Sequence, residues 1–187
     1  MKIPVIDNGG QWTHREYRVL RDLGAESSIV PNTAPLGADV DGVVLSGGAL
    51  SLEGSDAPLG RVGEWIDTIA VPVLGICVGH QYLARHFGGT VEKATAPEFG
   101  RVALEVDAPD DPLFAGIPSR LTVWASHNDQ VVRLPPGWRA LAHSESCRVE
   151  GMAHPDRPIR GVQFHPEVEH TERGREIFQN FLALCRR

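Results

Sequence analysis

The chain has 187 residues, 42% of them hydrophobic, and a formal net charge of −6. This composition excludes disordered, collagen-like and coiled-coil chains, and the length predicts a single domain over 1–187. The mild acidity argues against a nucleic-acid or anionic-membrane partner. No apolar run approaches the ~20 residues that span a bilayer. Three scattered cysteines without a CxxC pair predict neither disulfides nor structural zinc, so we expect a cytoplasmic protein.

Short apolar runs alternate with helical patterns in the first half of the chain. We predict strands at 3–6, 28–30, 43–45 and 71–76, the last apolar throughout, as in a buried parallel sheet. Helices are predicted at 13–23, 62–69 and 79–87; the second rests on apolar residues spaced i, i+3, i+4 and i+7. This alternation predicts an α/β fold with a doubly wound, mostly parallel, flavodoxin-like sheet.

The pattern changes between residues 91 and 149, where apolar and polar residues alternate and Pro-rich turns intervene. Such alternation is typical of antiparallel strands, so we predict a smaller antiparallel insertion on the sheet. A further strand is predicted at 159–164 and a last helix at about 171–185.

A buried strand leads directly into a helix at Cys77, which Gly75 and Gly79 flank. This is the cysteine version of the G-x-S-x-G nucleophile elbow, in which a sharp turn exposes the nucleophile. The adjoining helix N-terminus favours the thiolate form of the cysteine. Cys77 is therefore the candidate nucleophile, although a lone cysteine is more often a small core residue.

The segment His165-Pro166-Glu167 follows the strand predicted at 159–164. In extended backbone, residues i and i+2 project to the same side, so Glu167 can orient the imidazole of His165. Together with a cysteine elbow, this arrangement predicts a Cys-His-Glu triad. Seen alone, the segment would more often be a solvated turn.

The turn Ser46-Gly47-Gly48 offers backbone N–H groups that can stabilise an oxyanion, with Gly48 and Val78 as the donor pair. A nucleotide-binding interpretation competes with this one, because ATP pyrophosphatases carry Ser-Gly-Gly-x-Asp-Ser. Leu50 stands where that loop needs its Asp.

A metal site is the other alternative. Its candidate ligands have no recognised spacing, so we expect no metal. They are His127, Asp129, His165, Glu167 and His170.

Together, the three motifs resemble those of class I (triad-type) glutamine amidotransferases, which carry G-I-C-x-G-x-Q, S-G-G and H-P-E in the same order. The resemblance implies that Cys77 attacks the side-chain amide of glutamine, His165 transfers protons and Glu167 orients His165. It also implies that Gly48 and Val78 form the oxyanion hole. The positions matching glutamine-holding residues are Gln81, Ser126, His127, Asn128 and Asp129.

Two further segments, 7–13 and 124–131, resemble the glutaminase part of GMP synthetases. This narrower resemblance implies a separate glutaminase subunit whose partner is an ATP-pyrophosphatase (synthetase) subunit. ATP and Mg²⁺ would belong to that partner, and this chain would need no cofactor. The alternatives are a glutaminase for another synthase, a stand-alone γ-glutamyl hydrolase, or a binding module that senses a ligand.

The sequence departs from the family pattern at two positions. Ala49 stands where the family usually has Pro, so the oxyanion turn lacks the backbone restriction that Pro would give. Asn128 replaces a common Gly, and we expect the same loop shape because Asn tolerates left-handed backbone.

Overall fold

The computed structural model describes residues 1–52 and 59–186. Within them, nine strands form one sheet and three α-helices pack on it. The strands are β1 (Lys2–Asp7), β2 (Glu26–Pro31), β3 (Val43–Leu45), β4 (Val73–Ile76), β5 (Thr90–Val106), β6 (Arg120–Arg133), β7 (Arg139–His143), β8 (Gly151–Ala153) and β9 (Ile159–Val162). The helices are α1 (Thr13–Asp22), α2 (Val78–His86) and α3 (Gly174–Leu184), and short 3-10 turns cover Val62–Glu64 and Pro112–Phe114.

The strand order is β2-β1-β3-β4-β9-β8-β7-β5-β6. The five neighbouring strands β2, β1, β3, β4 and β9 are mutually parallel, and their order is that of a flavodoxin-like sheet. This confirms the predicted fold class. The antiparallel strands β5 to β8 are inserted between β4 and β9 in the sequence, and in space they continue the same sheet beyond β9.

Two hydrophobic cores lie on opposite faces of the sheet, as the period of two along each strand requires. On one face, Val44 and Leu74 belong to the core that holds Leu20 of α1 and Phe178 of α3. On the other face, Leu45 packs in the core that includes α2. Helices on both faces make the fold doubly wound. Among the residues described, no helix is both long and apolar enough to cross a membrane.

The helix predicted at 62–69 is wrong as a continuous α-helix. The structure has a 3-10 turn at Val62–Glu64 followed by further turns. Val62 and Ile66 are nevertheless fully buried, as the apolar spacing predicted. The segment is short, and glycine together with β-branched residues disfavours regular helix, so burial is achieved without one.

The last helix begins later than predicted, at Gly174. Thr171 instead serves as a bridge: its hydroxyl donates to the carbonyl of His165 at 2.7 Å and accepts from the N–H of Trp124 at 2.9 Å. The residues before α3 therefore tie the segment after β9 to β6.

The carboxyl ends of β1, β3, β4 and β9 lie side by side in the sheet. The segments that leave these ends carry Asn8, Ser46, Cys77 and His165. Parallel α/β sheets bind ligands at this edge, next to the point where the strand order reverses. Here the reversal falls at β1 and β3, so the topology brings the three predicted motifs together.

We expect Gly79→Ala to destabilise the fold by about 1–3 kcal/mol, because its Cβ would stand 2.4 Å from the backbone oxygen of Leu45. Gly37→Ala is the control, since that position is exposed and has open space around it. Urea unfolding of both variants measures the difference. Equal midpoints would contradict the close approach of α2 to β3.

Candidate active site

The turn at Cys77 has the backbone of a nucleophile elbow. Cys77 lies between β4 and α2 with φ 49° and ψ −104°, and it is 5% exposed. Its N–H donates to the carbonyl of Val162 in the neighbouring strand at 2.9 Å. The side-chain amide of Gln163 approaches its Sγ at 3.6 Å. The sulfur is thus held at the N-terminus of α2, as the sequence predicted.

His165 and Glu167 meet as predicted: Nδ1 of the imidazole lies 2.6 Å from Oε1 of the carboxylate, and both side chains are buried. Burial alone would lower the pKa of His165. The Glu167 charge and the hydrogen bonds with Cys77 and Glu167 outweigh it and raise the pKa well above its ordinary value. The ring of Trp12 packs edge-on against the imidazole, with centroids 4.3 Å apart. The pair can therefore stabilise an imidazolium beside the sulfur.

The glycine turn after β3 is braced despite the absence of proline. Asn8 binds Ser46 twice, from its N–H to Oγ at 2.9 Å and from its side-chain amide to the carbonyl at 2.8 Å. The Ser46 hydroxyl donates to the carbonyl of Gly47 at 2.8 Å. A Cβ at Gly48 would stand 2.4 Å from the Asn8 carbonyl, so only glycine fits there. These contacts order a turn that has no proline to restrict its backbone.

Glu16 is a buried carboxyl group at the site that the sequence analysis did not identify. Its Oε1 accepts from the N–H of Gly47 at 3.3 Å, and its side chain is almost fully buried. Burial and the charge of Glu167 raise its pKa well above the ordinary value. One signal could have found it: Glu16 occupies the buried stripe of α1 together with Thr13 and Leu20.

A cavity of about 430 Å³ opens at this edge of the sheet. Its size suits a small polar metabolite. Apart from Glu167, which lies behind His165, every residue predicted for the site lines it. These are Gly48, Cys77, Val78, Gln81, Ser126, His127, Asn128, Asp129 and His165.

Two of the predicted glutamine-holding residues are fixed by hydrogen bonds. The side-chain amide of Gln81 donates to the carbonyl of Asp129 at 2.7 Å and to Oε1 of Gln163 at 3.1 Å. The carboxylate of Asp129 accepts from the hydroxyl of Ser51 at 2.5 Å. The carbonyl of Ser126 lies 3.9 Å from Sγ of Cys77. Their contacts with glutamine stay a prediction.

Asn128 belongs to the continuous strand β6 and does not have positive φ. The residue's tolerance of left-handed backbone is therefore not used, and the expected likeness to the family's shape here stays a prediction.

The ring of His127 belongs to a buried polar cluster beside the cavity. Its Nδ1 lies 3.0 Å from the carbonyl of Asp129, and its Nε2 lies 3.0 Å from Oε2 of Glu98. Glu98 also accepts from the hydroxyls of Ser144 and Ser146 at 2.6 and 2.5 Å. We call Glu98, His127, Ser144, Ser146 and Glu150 the Glu98 cluster. It anchors the part of β6 that borders the cavity.

The pKa values of the two carboxyl groups in the Glu98 cluster are shifted in opposite directions. Burial opposes the ionisation of Glu98, but the hydrogen bonds from His127, Glu150 and the two serines lower its pKa to about 2. Burial and the neighbouring Glu98 raise the pKa of Glu150 well above its ordinary value. These opposite shifts favour a proton on Glu150 over a proton on Glu98.

Cys147 lies beside this cluster in the loop after β7. Burial keeps the pKa of its thiol far above the ordinary value. Ligand atoms of His127, Cys147 and Glu150 lie within 4.8 Å of one another. The expectation that the chain binds no metal stays a prediction.

Three motifs meet at one cavity: the cysteine elbow, the His-Glu pair and the glycine turn. Comparison with known proteins agrees with that arrangement. The sequence model of the family "Glutamine amidotransferase class-I" matches residues 4–185. The chain belongs to this family.

Individual relatives give a more specific comparison than the family model does. The chain is 50% identical over 187 residues to a glutamine-hydrolyzing GMP synthase subunit from Thermoplasma acidophilum, covering 99% of this chain and 93% of the relative. It is 47% identical to the corresponding GMP synthase subunit of Thermococcus kodakarensis, with 98% of each chain covered.

Solved structures agree with this likeness. The crystal structure of a putative GMP synthase subunit from Thermoplasma acidophilum has a TM-score of 0.93 and 50% identity, covering 100% of this chain and 94% of the other. A glutamine amidotransferase from Thermotoga maritima, at 22% identity, has a TM-score of 0.76, covers 98% of this chain and 81% of the other, and shows the fold alone.

The two partners of the buried ion pair should not contribute equally to turnover. We expect Glu167→Ala to retain roughly 10²-fold more glutamine hydrolysis than His165→Ala, because loss of an orienting acid leaves the base in place. Steady-state kinetics with glutamine measure both variants. Glu169→Ala, which changes an exposed neighbour, is the control. The reverse ranking would mean that Glu167 does more than orient the ring.

The Glu98 cluster predicts a pH effect on stability. The folded-state pKa of Glu98 near 2 lies below the ordinary ~4.3, so its ionised form stabilises the fold at neutral pH. This contribution is lost as the pH falls from about 4 towards 2. We expect Glu98→Gln to lower the urea midpoint at pH 7 and to flatten its decline in acid. Glu92→Gln, exposed on the same strand, should change neither.

Proposed function

We propose that this chain is the glutamine-hydrolysing component of a GMP synthase. The observation that carries the proposal is the pairing of His165 with Glu167 beside Cys77 in the cavity, in a chain 50% identical to a GMP synthase subunit over almost its whole length. The intact triad argues against a binding module with a degenerate site.

The proposed reaction begins when Sγ of Cys77 attacks the carboxamide carbon of glutamine. The tetrahedral intermediate collapses as the imidazolium of His165 protonates the leaving nitrogen, which releases ammonia and leaves a γ-glutamyl thioester. His165, now neutral, takes a proton from water. The hydroxide attacks the thioester, and glutamate leaves as the thiolate re-forms. Glu167 keeps Nδ1 of the ring bound throughout, so the other nitrogen stays directed at the reacting atoms.

The N–H groups of Gly48 and Val78 are proposed to stabilise the oxyanion. A peptide N–H and C=O point in opposite directions, so the bond from Ser46 to the carbonyl of Gly47 also sets the direction of the Gly48 N–H. Val78 is the first residue of α2, where backbone N–H groups have no partner within the helix. Donors of this kind are worth about 10²–10³ in turnover.

The substrate's α-ammonium group is proposed to bind Asp129, which lines the cavity and is almost completely buried. Gln81 acts on the same residue, because it holds the carbonyl of Asp129. His127 holds that carbonyl from the other side, so its part in substrate binding is to position Asp129.

The proposed partner is an ATP-pyrophosphatase (synthetase) protein that activates xanthosine monophosphate with ATP and Mg²⁺, so this chain itself needs no cofactor. Ammonia is a nucleophile only while unprotonated, and therefore the partner should dock around the mouth of the Cys77 cavity. We also propose a cytoplasmic location, which the three free cysteines support.

The test combines this chain with that partner, glutamine, ATP, Mg²⁺ and xanthosine monophosphate. We expect GMP, glutamate, AMP and pyrophosphate. Cys77→Ala should abolish GMP formation from glutamine, since no other group forms the thioester, yet ammonium should restore it. Cys185→Ala is the matched control and should stay within a few-fold of wild type.

Three outcomes would contradict parts of the proposal. Glutamine hydrolysis by Cys77→Ala would remove the mechanism. Support of a chorismate-using synthase, without GMP formation, would reassign the pathway and leave the triad intact. Equal glutamine turnover with and without any partner would favour a stand-alone hydrolase.

A further inference from the structure

The proposed reaction gives no role to the carboxyl group of Glu16, although Glu16 lies among the residues that carry out the reaction. It lines the cavity together with Cys77 and His165. The residue is 1% exposed, and its Oε2 is buried without a hydrogen-bond partner among the described residues. An acidic side chain in such surroundings is costly unless it carries a proton or binds a donor.

One donor is present, and it belongs to the oxyanion turn. The N–H of Gly47 donates to Oε1 of Glu16 at 3.3 Å. The carbonyl of the same Ser46–Gly47 peptide accepts from the side chain of Asn8 at 2.8 Å. Side chains from α1 and from the segment after β1 therefore hold this peptide on both sides. Gly48, the proposed oxyanion donor, follows immediately.

We propose that Glu16 is a positioning residue for glutamine hydrolysis, whose Oε1 holds the Gly47 N–H and so fixes the oxyanion turn. The inference rests on the proposed function. The brace matters here because the turn has Ala49 in place of a residue that would restrict its backbone.

The charges around Glu16 favour the protonated form. The titratable groups that face it are Glu167 and His165 after β9, and Cys77 at the elbow; the glycine turn contributes none. Burial and the Glu167 carboxylate raise the pKa of Glu16, while the Gly47 hydrogen bond and His165 oppose that rise. The net direction is upward, which favours the protonated form of Glu16.

Ionisation of Glu16 would work against the reaction. A further negative charge would lie close to the Cys77 thiolate and to the oxyanion that forms in the transition state. Turnover should therefore fall as the pH rises through the pKa of Glu16. Glutamine at this position would keep the acceptor for Gly47 and could not ionise.

The test compares Glu16→Gln, Glu16→Leu and Leu20→Ala. Leu20 lies on the same helix and is fully buried, but it does not line the cavity, so it controls for helix packing. Glutamine hydrolysis by the complex with the synthetase partner is followed from pH 6 to 10, with kcat and KM separated. The rate of Cys77 alkylation by iodoacetamide is measured over the same range.

We expect Glu16→Gln to stay within about threefold of wild type at neutral pH and to move the alkaline decline of kcat to higher pH. Glu16→Leu should lower kcat about tenfold with little change in KM, which is the effect of one lost hydrogen bond. Leu20→Ala should lower stability and leave the pH profile in place. Should Glu16→Leu fail to fold, the pH profiles of Glu16→Gln decide.

Two results would overturn the inference while hydrolysis by the wild type remains. One is an unchanged kcat in Glu16→Leu. The other is an alkaline profile of kcat and alkylation in Glu16→Gln that coincides with that of the wild type. A wild-type complex that neither hydrolyses glutamine nor reacts with a glutamine analogue at Cys77 would contradict the proposed function, and this inference with it.

Discussion

The close approach of backbone segments around Cys77 is the constraint on which the rest of the site depends. A Cβ at Gly75 would meet the backbone of Gly79 at 2.7 Å, and one at Gly79 would meet the carbonyl of Leu45 at 2.4 Å. These close approaches between β3, β4 and α2 allow the chain to pass from strand to helix at the single residue Cys77. Cys77 therefore adopts a backbone conformation that costs of order 1–3 kcal/mol, and the surrounding cores hold it there.

The second organising feature is the arrangement of buried carboxyl groups at the site and in the Glu98 cluster. Glu167 is fully buried and paired with His165, whereas Glu16 and Glu150 have pKa values raised by burial and by a neighbouring carboxylate. In each cluster, one carboxyl group pairs with an imidazole, and the raised pKa of the other favours its neutral form. This division lets acidic residues act as hydrogen-bonding supports without adding negative charge where a thiolate must form.

Much of this arrangement follows from local sequence. The elbow, the His-Pro-Glu segment and the glycine turn are short, and each lies at the end of a strand whose apolar run is evident. The remainder depends on tertiary contacts that no local pattern contains. Glu98 meets His127 through strand pairing, and Thr171 bonds with the His165 carbonyl instead of beginning a helix. The segment at 62–69 buries Val62 and Ile66 without the helix that the apolar spacing favoured, because packing decided its form.

The pairing of β4 with β9 has a consequence for the order in which the molecule can be built. Cys77 and Gln163 are 86 positions apart, and the whole antiparallel half of the sheet lies between them in the sequence. Bringing such distant segments together is entropically slow, and it requires β9 to be available. During synthesis from the N-terminus, the nucleophile emerges long before its base. The reactive constellation is therefore a late product of folding, assembled only when the carboxyl-terminal strand closes the parallel sheet.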